Sequence, residues 1–303
     1  MKQTRPLLAL AALSALAALG SLRGDLWPGP FRAAEALPAL ERQALAWAEL
    51  AFCAAALALV LRQRLSRAAW SQSALAGLGL FAAPALLAQL ASPYIPQLTR
   101  VALFGLVPVL AAVLQPYLGE ADSGRGALGP ALVAMAGMLC IFPVDLSSSP
   151  ADALAFAAML LAVACLAAAN CRAVWAAHAH GGGVAARAAV AALTAAVALG
   201  ISCVFDARVA LPSPALLPTA LWVLVVDLPA LLLLFWLMRR MTAARMTLRF
   251  VLGPLIASLA GVALFAPAVS ARAWLGLALM AAGSAWMLLQ RDSPEDSTTL
   301  SLR

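Results

Sequence analysis

The chain has 303 residues, 64% of them hydrophobic and 11% charged, with a mean hydropathy of +0.95. A soluble domain carries about 25% charged residues, so a water-soluble protein is excluded, and at ~20 apolar residues per membrane span the length holds roughly ten helices and no sizeable soluble domain. A net charge of +7 would fit nucleic acid binding, but there is a single lysine, Lys2, and the arginines are scattered through short connections, where they set membrane orientation instead.

The apolar runs are continuous rather than alternating, which predicts helices and not a β-barrel. The first runs from Pro6 to about Leu22 after Lys2 and Arg5; a signal peptide cleaved near Ala15-Leu16-Ala17 is the second reading of it. Later runs cover approximately 43–61, 70–91, 97–118, 126–144, 151–172, 186–205, 215–238, 245–265 and 272–290, which makes ten spans. The stretch 23–42, with Trp27, Pro28, Pro30 and Pro38, predicts an external loop with a short interfacial helix, and 291–303 a polar tail. With the N-terminus inside, cytoplasmic segments hold Lys2, Arg5, Arg62, Arg64, Arg67, Arg125, Arg172, Arg187, Arg239, Arg240, Arg245, Arg291 and Arg303. Only Arg23, Arg32, Arg42, Arg208 and Arg272 lie outside, while Arg100 and Arg249 fall within spans. Both termini are therefore expected in the cytoplasm.

The chain repeats itself. Pro108, Glu120 and Gly137 fall at the same intervals as Pro254, Ala266 and Gly283, an offset of 146 residues, and Phe104/Phe250, Leu106/Leu252, Ala111/Ala257 and Leu118/Leu264 match as well. Two units follow, 1–145 and 146–290, each of five spans. An odd number inverts the second copy relative to the first, as in secondary transporters.

The segments LFGLVPVLAAVLQPYLGE and GALGPALVAMAGMLCIF, answered by RMTLRFVLGPLIASLAGVALF and WLGLALMAAGSAWMLL, resemble the end of the EamA domain of the drug/metabolite transporter superfamily. The second copy has Ala266 where that family usually has glutamate. The resemblance implies ten helices, a central cavity lined chiefly by spans 3, 4, 8 and 9, a bacterial-type inner membrane, and export or exchange of small metabolites by alternating access.

Charged and polar residues inside spans need partners or a function. Asp227, near the middle of LWVLVVDLPALLLLFW and followed by the helix-disrupting Pro229, is read either as a hydrogen-bonded structural carboxyl or as a substrate-binding or proton-carrying group. Arg249 either snorkels to the cytoplasmic interface or reaches inward toward Asp227. Trp222, Gln89 and Phe104 complete the candidate substrate-binding set, and Asn170 and Thr194 are polar candidates that often satisfy only an i−4 carbonyl. Glu49 and Arg100, at similar depth, form a candidate external gate pair; Pro108, Glu120, Gly137, Pro254 and Gly283 form a helix-packing motif.

His178 and His180, before Gly181-Gly182-Gly183, predict a solvated loop rather than a metal site, and the five cysteines show no pairing pattern. H-E-x-x-H and phosphate-binding glycine-lysine motifs are absent from the sequence. The expectation is a transporter without cofactor or metal and without enzymatic activity, whose partners are a small-molecule substrate and membrane lipids, and whose small residues permit a homodimer. The alternatives are a polytopic enzyme acting on lipid or glycan, and a membrane scaffold that transports nothing.

Overall fold

The computed structural model describes residues 4–26, 39–118, 125–142, 149–205, 221–265 and 270–290, and among these every regular element is a helix. Joining segments that continue one another gives α1 (Thr4–Leu26), α2 (Ala39–Val60), α3 (Arg67–Ala91), α4 (Gln97–Tyr117), α5 (Arg125–Ile141), α6 (Pro150–His180), α7 (Val184–Phe205), α8 (Val223–Leu237), α9 (Ala243–Leu264) and α10 (Ala271–Leu289). Seven of these are long and apolar enough to cross a membrane, and the chain is a membrane protein on that ground. The apolar stretches Arg5–Gly20, Gly126–Ile141 and Val223–Leu237 are shorter. Glu120, Ala266, residues 27–38 of the expected external loop and the 291–303 tail lie outside the described residues, while 23–26 and 39–42 of that loop are helical, as the ends of α1 and α2.

Helix starts follow local chemistry. Ser66 and Ser270 accept the backbone N–H of Ala69 and Ala273, each at 3.2 Å, and Ser149 accepts that of Asp152 at 3.1 Å with Pro150 in the first turn. The last of these opens α6, 31 residues long, which runs to His180. His178 and His180 are therefore helical, correcting the predicted loop. The helix continues past Arg172 because nothing between Ala173 and His180 breaks it, and Gly181 and Gly182 stop it with φ of 56° and 94°.

Two helices contain a single π turn, Leu78–Ala82 in α3 and Val223–Asp227 at the start of α8. In each, the next residue's N–H reaches back five residues, Ala83 to Leu78 and Leu228 to Val223, and a proline follows, Pro84 and Pro229. Proline lacks a donor and clashes with the i−4 carbonyl. The extra residue in the turn relieves both faults, so the expected kink at Pro229 takes the form of a π turn.

The longest pairings are antiparallel. Near one end α2 and α7 share Leu40, Ala44 and Leu199, and near the other Ala58, Ala185 and Ala186. In the α5–α10 pair, a Cβ added to Gly137 would meet the Gly276 carbonyl oxygen and the Met280 nitrogen at 2.6 Å. One added to Gly283 would meet the Pro130 oxygen at 2.7 Å and the Ala134 nitrogen at 2.5 Å. The two sets interchange under the 146-residue offset, so each glycine occupies the counterpart of the other's contact. Gly137→Ala and Gly283→Ala should each lower stability by about 1–3 kcal/mol, through overpacking against backbone that has no rotamer to yield. Thermal unfolding in detergent checks this; two unchanged melting curves would show that α5 and α10 are not pressed together here.

Arginines gather at one end of the bundle. Ala186 N–H donates to Gln63 Oε1 at 3.1 Å and Arg239 Nη1 to the Gly182 carbonyl at 3.0 Å, while Arg187 holds the Gly181 carbonyl. Arg245 reaches the Gln290 carbonyl, and Gln290 Nε2 donates to Gly126 O at 2.9 Å. These bonds bring together the 61–66, 181–183 and 238–242 connections with the ends of α5 and α10.

Candidate functional site

Two polar side chains inside the bundle, Asn170 and Arg249, meet where α6 and α9 pack beside α4. Asn170, on α6, has no exposed surface. Its Nδ2 donates to the Leu166 carbonyl at 2.7 Å, the expected i−4 bond, which leaves Oδ1 turned outward from the helix. Arg249 Nη2 donates to that oxygen at 3.0 Å, and its guanidinium carbon lies 4.6 Å from the Phe250 ring centre. Arg249 Nη1 is buried and has no hydrogen-bond partner. Arg249 thus does not snorkel: its head turns inward, and its partner is Asn170 rather than Asp227.

Local sequence explains the position. The hydrogen-bond ladder of α9 is interrupted at Leu248, whose N–H bonds the Arg245 carbonyl three residues back. The preceding segment, Ala243–Thr247, is pressed against α4 and α6, with Met246, Thr247 and Leu248 fully buried. Val107 on α4 is fully buried as well, and Cys171 Sγ donates to the Ala111 carbonyl at 3.7 Å, which ties α6 to α4 beside Asn170. The α4–α9 seam is closed on this level.

The other candidates are dispersed. Asp227 ends the π turn of α8 and is half-buried, with half-buried Trp222 immediately before the turn; α8 packs against α1, α2 and α7. Gln89 is exposed on the outer face of α3, away from the core, because the π turn at Leu78–Ala82 changes the register that an uninterrupted helix would give. Phe104 is half-buried against the core, next to the Gly105–Leu106 break in α4 that precedes buried Pro108. Pro254 is inside α9 and half-buried. Thr194 Oγ1 bonds the Val190 carbonyl at 2.8 Å.

The expected Glu49–Arg100 ion pair is not formed. Arg100 Nη1 donates instead to the Ala88 carbonyl of α3 at 3.2 Å, because the Ser92–Pro96 turn folds the start of α4 back toward the end of α3. His178 is exposed, His180 stacks edge-on to Trp175 at 5.6 Å, and among the described residues no group of histidine, cysteine or carboxylate side chains is placed to hold a metal.

An apolar cleft of about 400 Å³ opens between α1, α2, α7 and α8, lined by Leu16, Leu57, Leu61, Pro229, Leu232 and Trp236 among others. Of spans 3, 4, 8 and 9, expected around a central cavity, only span 8 lines it. The one amide on its wall, Gln63, is committed to Ala186. Asn170, a polar candidate expected to satisfy only an i−4 carbonyl, makes that bond and also accepts from Arg249; a polar side chain in a run of alanines and an unmatched cation in another span were the two signals of the second contact.

Fold and site together define an all-helical, multi-pass membrane protein with a polar contact buried between helices. No protein-family model matches the sequence, and no curated protein does. The chain superposes on a solved crystal structure with a TM-score of 0.74, over 95% of this chain and 99% of that one, at 16% sequence identity. Similarity at this identity establishes a shared fold along nearly the whole of both chains.

Proposed function

We propose that the protein is an EamA-like secondary transporter of the inner membrane, exporting or exchanging small amphipathic or amino-acid-like metabolites by alternating access. The observation that carries this reading is the matching of irregularities between two halves. The π turns at 78–82 and 223–227 stand 145 residues apart, each followed by Pro-Ala-Leu-Leu, at 84–87 and 229–232. The starts of α4 and α9, and of α5 and α10, stand 146 apart, and Gly137 and Gly283 exchange equivalent contacts. Regular helices match by composition alone, but defects that recur within one residue of the same offset favour descent from one unit. Two inverted units give two packings of similar energy, facing opposite sides, which is what alternating access requires.

On this reading the three shorter apolar stretches also cross, giving ten spans. The arginine-rich end faces the cytoplasm, with both termini on that side. The closed α4–α9 seam and the apolar cleft beside Pro229 describe one state of the cycle.

Counterflow tests the function. Liposomes carrying the purified protein and loaded with a soluble extract of its host cells should exchange a small set of metabolites with isotopically labelled extract outside, well above empty liposomes. Equal exchange in both preparations would overturn the transporter reading.

A further inference from the structure

Among the described residues of α4, α6 and α9, the only carboxylate is Asp152, eighteen residues and about 27 Å along α6 from Asn170. Arg249 therefore carries a charge into the packed interior with one neutral amide, one aromatic ring and no counter-ion among the described residues. A buried cation is normally paired. The guanidinium is a planar fork suited to two parallel bonds with a carboxylate. Here Asn170 takes Nη2 and leaves Nη1–H unused, while Asn170 Nδ2 keeps one hydrogen beyond that given to Leu166.

We propose that Arg249 and Asn170 bind the carboxylate of the transported metabolite, Arg249 Nη1 taking one oxygen and the second Asn170 Nδ2 hydrogen the other. This deepens the transporter reading and rests on it for the word transported; binding itself does not. The missing counter-ion is then the substrate's own. Nη1 is closed off in this conformation, so the α4–α9 seam must part to admit the anion. The break at Leu248, one residue before Arg249, is the point at which α9 would bend.

Thermal unfolding of the full chain in detergent provides the test, with acetate, L-leucine, L-leucinamide, inorganic phosphate and chloride as separate probes. Acetate and leucine should raise the midpoint, leucinamide and chloride should not, and Arg249→Gln should weaken leucine about thirtyfold or more, as for a lost buried charge partner. Asn170→Asp is the decisive variant: it keeps the side-chain size and exchanges the Nδ2 bond to the Leu166 carbonyl for an internal carboxylate facing Arg249, so the protein should fold yet be blind to every anion. Stabilisation by leucinamide equal to that by leucine, by phosphate alone, or by leucine undiminished in Asn170→Asp would each overturn the assignment. Counterflow separates the two claims. Exchange that persists in wild type without any anion-dependent stabilisation sinks the carboxylate site alone, whereas carboxylate binding without exchange sinks transport and leaves the site.

Discussion

Arg249→Met should make the protein more stable and, on the transporter reading proposed above, nearly abolish its flux. A buried N–H without a partner costs about 1–3 kcal/mol, and methionine fills the space of the arginine stem without a donor to satisfy. Against this stands the lost bond to Asn170, whose oxygen would then be unpaired. The net expectation is a gain of about 1 kcal/mol, read as a higher unfolding midpoint. Counterflow of anionic metabolites should fall on the order of a hundredfold, the loss of one buried charge partner. A residue kept for packing would give the opposite result, with lower stability and flux that tracks the folded fraction.

The second large effect belongs to the paired π turns. Pro84→Ala and Pro229→Ala together restore the missing donors and remove the ring clash, so both turns should tighten to ordinary α-helix. Tightening expels one residue from each turn and rotates what precedes it by about 100° about the helix axis. Trp222 before the turn, and Trp47, which stacks on Phe81 inside the other at 4.2 Å, would leave their present partners. Flux should drop about tenfold or more, since segments that absorb conformational change alter rate and affinity together. The single Pro84→Ala variant should show a smaller loss. Hydrogen exchange locates the change: new protection at residues 84 and 229 with undiminished flux would mean that the turns play no part in the cycle.

How much of this was legible in the sequence depends on which physical signal each feature leaves. Helical class and the main apolar spans follow from hydropathy, because the bilayer imposes length and satisfied backbone directly. The Gly137/Gly283 motif pointed to its own packing, since glycine at a fixed offset marks close backbone approach. The extension of α6 to His180 was missed because polar composition resembles a loop even where nothing prevents a helix. Pro-Ala-Leu-Leu at 84 and 229 escaped notice at an offset of 145 because the more conspicuous prolines set the register at 146. Arg249 was read by its distance from the helix end, which favours snorkelling, and Glu49 and Arg100 were joined by depth alone. A one-dimensional reading gives depth but not azimuth, and azimuth is what turns Arg249 to Asn170 and Arg100 to Ala88.

The length of α6 has a consequence of its own. From Asp152, its only carboxylate, to Arg172, its first cation, are twenty residue steps, about 30 Å of helix, close to the thickness of a hydrocarbon core. The eight residues that follow, with the Arg172 guanidinium 4.5 Å from the Trp175 ring, suit the headgroup layer. α6 thus acts as a ruler for hydrophobic mismatch, with Asn170 only two residues inside its marked edge. A bilayer thinner by a few ångströms would bring that amide and Arg249 to the level of the headgroups, while the far side stays most of a membrane away. The insulating layer is therefore unequal on the two sides, and lipid thickness sets how much of it the arginine-rich side retains.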